Sequence, residues 1–331
     1  MLKKSRKYVN KINNSRVYDV AIRSPITKAE NLSSNLKNKI FLKREDLQPT
    51  HSFKIRGAYN KISHLVNKDN VNHIVTASAG NHAQGVAYSA RKLKIKATIF
   101  MPRTTPSIKI EEVKKMKSEV VLVGDNFDES LDSALKFCKK HKLPFIHPFD
   151  DPEVISGQGT IGKEIIEDFQ EKIDVIFVAV GGGGLISGLG AYIKSLNPKI
   201  KIVAVEAEDA AGLYKSLEIG KRIKLDKVGL FADGAAAKQI GLNNYQLIKE
   251  WLDDSITVST DEICAAVKDT FAETRTVPEP TGALALAGLK KYIAKRKIKN
   301  KNLIATYCGS CLLYTSPSPR DLSTSRMPSS A

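Results

Sequence analysis

An unbroken apolar run at residues 175–180 stops at four consecutive glycines, Gly181, Gly182, Gly183 and Gly184, then gives way to a helical pattern at 185–195 and another apolar run at 200–206. A run without polar alternation reads as a strand covered on both faces, and a strand, helix, strand succession joins parallel neighbours. The same rhythm occurs upstream. Residues 73–78 form an apolar run ending in a Gly-Asn loop, an Ala-rich helical stretch reaches residue 92, and 97–101 is again strand-like. An amphipathic stretch at 106–117, a strand-like run at 119–123 and a helix at 127–142 leading into 144–147 extend the alternation. This predicts an α/β fold with mostly parallel sheets flanked by helices. No internal repeat is present. Residues 149–157, with Pro and acidic residues between two such blocks, read as a crossover between domains.

The 331 residues suit two domains of roughly 150 residues each. Lys and Arg number 52 against 35 Asp and Glu, a formal charge of +17 at pH 7, and basic surfaces bind nucleic-acid backbones by displacing counterions. A basic nucleic-acid-binding protein is therefore the rival class. Against it, the lysines are scattered over helical faces, as at 109–117 and 290–301, with no aromatic-lined groove, zinc-ligand spacing or helix-turn-helix pattern beside them. We expect a small-molecule partner, no nucleic acid and no metal. No apolar run approaches the roughly 20 residues a spanning helix needs, and the Lys-rich amino terminus lacks a signal-peptide core, so no membrane and a cytoplasmic location are expected.

Cys138, Cys264, Cys308 and Cys311 are too scattered for a disulfide framework, in keeping with a reducing compartment. Cys308 and Cys311 have redox-motif spacing, but Cys311 opens a Ser- and Pro-rich segment, 311–331, that resembles the translation of a sequencing-library adapter. It has no periodicity with which to pack. We expect native sequence to stop near Ser310.

Five features carry candidate chemistry. Gly181 to Gly184, with Leu185 opening the helix, let backbone N–H groups and a helix amino terminus converge on one anion, which a side chain at any of these positions would obstruct. The spacing does not fit the dinucleotide fingerprint, although Glu206 lies at a suggestive distance, and a nicotinamide oxidoreductase is a third possibility. Lys54 stands at an expected helix start, where the helix dipole and Arg56 would disfavour its ammonium form and leave an amine able to form a Schiff base. Read alone, it is a solvated surface lysine. Ser78, Ala79, Gly80, Asn81 and His82 span a strand end and a helix start; they could offer a hydroxyl and N–H donors to a carboxylate, or form a plain cap and turn. The His82 side chain reads as structural. Cys308 is a buried structural cysteine or a ligand contact, and Glu279 either faces a site or caps a helix.

The string from Lys43 to Ala58 resembles the cofactor-lysine segment of the threonine and serine dehydratases, pyridoxal-phosphate enzymes of the tryptophan-synthase-β fold type, also called fold type II. The 78–85 loop, the four-glycine turn, 203–209, 231–236, 277–288 and 306–310 extend the resemblance over most of the chain from about residue 17 to 309. It implies a discontinuous larger domain, 1–41 plus 149–310, and a smaller domain, 42–148. Lys54 would hold pyridoxal 5'-phosphate and act as the general base. Gly181 to Gly184 and Leu185 would cup its phosphate, Asn81 would meet its ring hydroxyl, and Cys308 would stand where the family places a serine against the ring nitrogen. Ser78 to His82 would bind the substrate carboxylate. The implied reaction is conversion of L-threonine to 2-oxobutanoate and ammonia at the entry to isoleucine synthesis, with serine dehydration or racemisation as the near alternative. A homo-oligomer, tetramer or dimer, and a carboxy-terminal effector domain in the complete gene are expected on the same ground.

Overall fold

A computed structural model describes residues 3–310. The adapter-like segment and Cys311 lie outside the described residues. The chain opens with α1 (Lys3–Asn13), β1 (Ile26–Lys28), α2 (Glu30–Leu36) and β2 (Lys39–Arg44). Next come α3 (Lys54–Asp69), β3 (His73–Ala77), α4 (Asn81–Leu93), β4 (Lys96–Met101), α5 (Ser107–Lys115), β5 (Glu119–Leu122) and α6 (Phe127–His141). After α7 (Pro152–Asp168) follow β6 (Val175–Ala179), α8 (Gly184–Leu196), β7 (Lys201–Ala207), α9 (Gly212–Ile219) and α10 (Leu242–Ile248). The series ends with β8 (Asp254–Val258), α11 (Thr260–Thr274), α12 (Pro280–Arg296) and β9 (Asn302–Tyr307).

Two sheets result. Strands β3, β4 and β5 form a parallel three-stranded sheet. Its faces bury alternate residues, as a period of two requires: Ile74, Ile99 and Met101 pack with Ala58, Ile62 and Val86, while Val75, Ala77 and Phe100 pack with Ala134 and Cys138. The larger sheet has the order β1-β2-β9-β6-β7-β8 and is parallel except for the β1–β2 pair. Strand β6 is apolar and buried along its whole length, as expected of a strand covered on both faces.

Strand β2 pairs with β9 along its whole length, from Lys39 opposite Asn302 to Arg44 opposite Tyr307. The start of the smaller domain expected at residue 42 therefore falls inside a strand of the larger sheet. The pairing also delivers the chain after β2 to the end of β9, where Ser52 bridges Gly309 and the Phe53 N–H donates to the Cys308 carbonyl at 3.3 Å.

The stretch at 149–157 is not a plain crossover. Helix α7 begins within it, because the Asp151 side chain accepts the N–H groups of Glu153 at 2.8 Å and Val154 at 3.3 Å, and Pro152 occupies the first helical position. The acidic residue and the proline are start signals for a helix. Gly157 lets α7 lie directly on α3: a Cβ there would stand 2.7 Å from the Arg56 carbonyl oxygen and from Gly57 Cα. Beside this contact sits a fully buried ionic cluster. Arg56 donates to Glu45 at 2.7 and 2.9 Å and to Glu164 at 2.5 and 3.0 Å, and Lys43 donates to Glu164 at 2.6 Å. No helix of the described residues is long and apolar enough to cross a membrane.

Candidate active site

Lys54 is the first residue of α3. The residue is half-buried and its amine end is enclosed, so burial pulls its pKa below the usual lysine range against the opposing pull of Cys308 and Glu279. The amine lies 5.1 Å from the centre of the Phe53 ring. Arg56 does not play the part expected from the sequence. Its guanidinium turns into the Glu45 and Glu164 cluster, where the two carboxylates balance its charge, and desolvation is what lowers Lys54.

One cleft is lined by Lys54, Gly181 to Gly184, Leu185 and Cys308, with Phe149, Gln158 and Thr281 among the other walls. The glycine loop links β6 to α8 and reaches a left-handed conformation at Gly183, φ 92°. Among the described residues no protein acceptor takes the N–H groups of Gly181 to Gly184, which stand at the positive end of α8. The reason for four glycines differs from the sequence expectation. A Cβ on Gly182 would run into the Phe149 ring, one on Gly184 would stand 2.9 Å from the Phe149 carbonyl oxygen, and one on Gly181 would stand 2.8 Å from Ala235 Cα. Added side chains would strike the walls that press on the loop. The glycines permit this close packing while the N–H groups stay unpaired.

Cys308 follows β9 and is buried. Its S–H donates to the Thr281 carbonyl at 3.3 Å, and burial pushes the thiol well above its ordinary range, so it is neutral. Asn81 opens α4 and donates from Nδ2 to Glu279 Oε1 at 2.8 Å, while its Oδ1 is buried without a partner among the described residues. Ser78 Oγ accepts the Gly80 N–H at 3.3 Å, and Ser78, Ala79 and Gly80 form the half-buried loop leading into α4. His82 is buried and donates from Nε2 to the Ile146 carbonyl at 3.0 Å; burial pulls it down to about 3, so its ring is a neutral structural group. The sequence motifs of Lys54, Gly181 to Leu185 and Cys308 thus meet at one cleft, and Asn81 ties the 78–82 loop to the same neighbourhood through Glu279.

Glu279, left open between two roles, does not cap α12 with its side chain. It faces Asn81 instead, and burial, aided by Asp233, pushes it up to about 7. Glu206 takes no ligand-binding position. It is buried at the end of β7 and accepts the N–H groups of Leu213 at 2.9 Å and Tyr214 at 2.7 Å, and burial pushes it up to about 7. Sequence reasoning passed over Gln158, Phe149 and Thr281. Gln158 was hidden by treating the start of α7 as a connection, although an amide between Gly157 and Gly159 was a usable signal of close packing. For Thr281 the residue string carried no sign that its hydroxyl would be unpaired.

An amine whose pKa is lowered by burial, unpaired N–H groups at a helix start, a neutral thiol and an unpaired amide oxygen suit a phosphorylated aldehyde with a heteroaromatic ring. The class defined by this site is therefore an enzyme that holds such a cofactor through a lysine. The chain matches the family described as pyridoxal-phosphate dependent enzyme over residues 17–309 and belongs to it. It is 48% identical over 309 residues to the biosynthetic L-threonine dehydratase of Burkholderia multivorans, covering 92% of this chain and 61% of that protein. The chain thus spans about three-fifths of that relative's length. The processed form of threonine deaminase isoform 2 from Solanum lycopersicum superposes with a TM-score of 0.91 at 43% identity, covering 97% of this chain and 87% of that one. Maize serine racemase superposes with a TM-score of 0.86 at 30% identity, covering 96% of each chain.

Proposed function

We propose that the chain is an L-threonine ammonia-lyase, converting L-threonine to 2-oxobutanoate and ammonia at the first step of isoleucine biosynthesis. The observation that carries the reading is the Lys54 amine, its pKa lowered by burial, on the same cleft as the unpaired N–H groups of the glycine loop. Choice of threonine rests on relatives named for that substrate. The cleft would lie between the domains proposed from the sequence, with Lys54 in the smaller and the glycine loop in the larger.

In this reading Lys54 would bind the cofactor aldehyde, Gly181 to Gly184 and Leu185 would hold the phosphate through N–H groups, Asn81 would meet the ring hydroxyl and Cys308 would serve the ring nitrogen. When bound, the cofactor supplies an electron sink for the pair released as the α-proton leaves. Lys54 Nζ, freed when the substrate amine takes its place on the aldehyde and with its pKa lowered by burial, would accept that proton. The Ser78 hydroxyl and the N–H groups of residues 79–82 hold the substrate carboxylate at the start of α4. The neutral Cys308 thiol places no anion in the cleft, which favours prompt loss of the β-hydroxyl. Water then releases ammonia from the dehydrated product.

Purified full chain with pyridoxal phosphate is assayed for ammonia and 2-oxo acid with L-threonine and with L-serine. We expect kcat/KM to favour threonine by about tenfold or more, the scale of one methyl group in a fitted pocket. Preference for serine, or racemisation without ammonia release, contradicts the substrate choice. A cytoplasmic homo-oligomer belongs to the same proposal, and a monomeric holoenzyme in sedimentation would contradict the assembly.

A further inference from the structure

Asn244, in the first turn of α10, is fully buried beside the glycine loop. Its Nδ2 donates to the Gly182 carbonyl at 2.9 Å and to the Phe149 carbonyl at 3.0 Å, while its Oδ1 is buried with no partner among the described residues. Two carbonyls in front of one end of an amide admit only its nitrogen, so the neighbours fix which way it points. The Gly241 N–H donates to the same Gly182 carbonyl at 3.0 Å. That carbonyl is thus held by two donors on residues that are not walls of the cleft.

In a planar trans peptide the C=O of one residue and the N–H of the next point in opposite directions. Holding the Gly182 carbonyl against Asn244 and Gly241 therefore turns the Gly183 N–H the other way, and Gly183 is itself a wall of the cleft. Consecutive glycines leave a loop free to take many other conformations, so contacts from outside it must select one. The Asn244 amide also grips the Phe149 carbonyl, and the Phe149 ring is what Gly182 packs against. Asp150 accepts the N–H groups of Leu242 at 2.9 Å and Asn243 at 3.0 Å, which ties the start of α10 to the same segment. We propose that Asn244 is a positioning residue for the cofactor phosphate: its amide fixes the peptide between Gly182 and Gly183 so that the Gly183 N–H faces the cleft before any ligand arrives. A donor set in advance need not be ordered on binding, which raises affinity for the anion. The inference rests on the proposed binding of pyridoxal phosphate in this cleft.

The test compares Kd values of the cofactor-free full chain for pyridoxal phosphate and for pyridoxal, which carries the same ring and aldehyde without the phosphate. Both are read by absorbance titration, and the ratio of the two isolates the share of affinity owed to the phosphate. Asn244→Leu keeps a similar volume and removes the donor. It should weaken pyridoxal phosphate binding about tenfold, the scale of one hydrogen bond to a charged group, and leave the Kd for pyridoxal within about twofold. Inorganic phosphate competing with pyridoxal phosphate should lose affinity in the same variant. Where Asn244→Leu does not fold, Asn244→Ala carries the same expectations. An unchanged ratio overturns the assignment, and so do two Kd values that rise together, as a general loosening of the fold would make them. Failure of the unaltered protein to bind pyridoxal phosphate at all overturns the functional reading with it, whereas normal binding with an unchanged ratio in the variant overturns only the role of Asn244.

Discussion

Arg56 lies close to Lys54 in sequence, but its charge is held by Glu45 and Glu164 inside the protein, and Glu164 is shared with Lys43. Removing one partner from such a cluster leaves an uncompensated buried charge. Glu164→Gln should therefore destabilise the fold by about 3–5 kcal/mol in urea unfolding, and a loss below about 1 kcal/mol would contradict the cluster's role. Glu279 gives a pH signature. Its pKa rises from the usual 4.5 to about 7 on folding, so the folded protein retains a proton that the unfolded chain releases. That contribution is complete below about pH 4.5, fades as pH rises through 7, and amounts to about 3 kcal/mol at most. Glu279→Gln should flatten the fall of stability between these pH values, and an unchanged slope would refute the assignment. Lys54 was legible in the sequence as a nucleophile candidate, but the cause of its lowered pKa was not. Nearness in sequence put Arg56 beside it, whereas side-chain direction and burial put the guanidinium against α7.

Helix α3 carries Lys54, and its seat on α7 depends on a backbone contact at Gly157. Gly157→Ala should push the two helices apart, costing about 1–3 kcal/mol in urea unfolding and weakening cofactor affinity because Lys54 moves with α3. Stability within about 0.5 kcal/mol of the unaltered protein would show that the contact yields freely. The local successions β3-α4-β4-α5-β5 and β6-α8-β7 were readable because period and turn residues are written into consecutive positions. The start of α7 was misread, since Asp-Pro beside acidic residues serves a connection and a helix cap equally well until the backbone direction is known. The β2–β9 pairing could not be read at all. It joins residues 39–44 to 302–307, and two short apolar strands give no register to each other without the rest of the sheet.

At the scale of the molecule, the site is assembled from segments distant in sequence: the chain after β2, the loop after β6 and the end of β9 line one cleft. Asn81 reaches Glu279 across 198 positions. Individual motifs were legible because each concentrates unusual residues, while their meeting was supplied by family resemblance and then by the fold. Some lysines form ion pairs near the protein surface, as in Lys109 with Asp233 at 3.3 Å and Lys238 with Asp128 at 2.6 Å. Exposed pairs of this kind contribute only about 0–1 kcal/mol each, so the cleft owes its chemistry to burial instead. The most direct test of that chemistry is borohydride reduction of the full chain with bound pyridoxal phosphate, followed by peptide mass mapping. We predict a pyridoxyl phosphate adduct on the Lys54 side chain; a stable adduct on another lysine, or none, would contradict it.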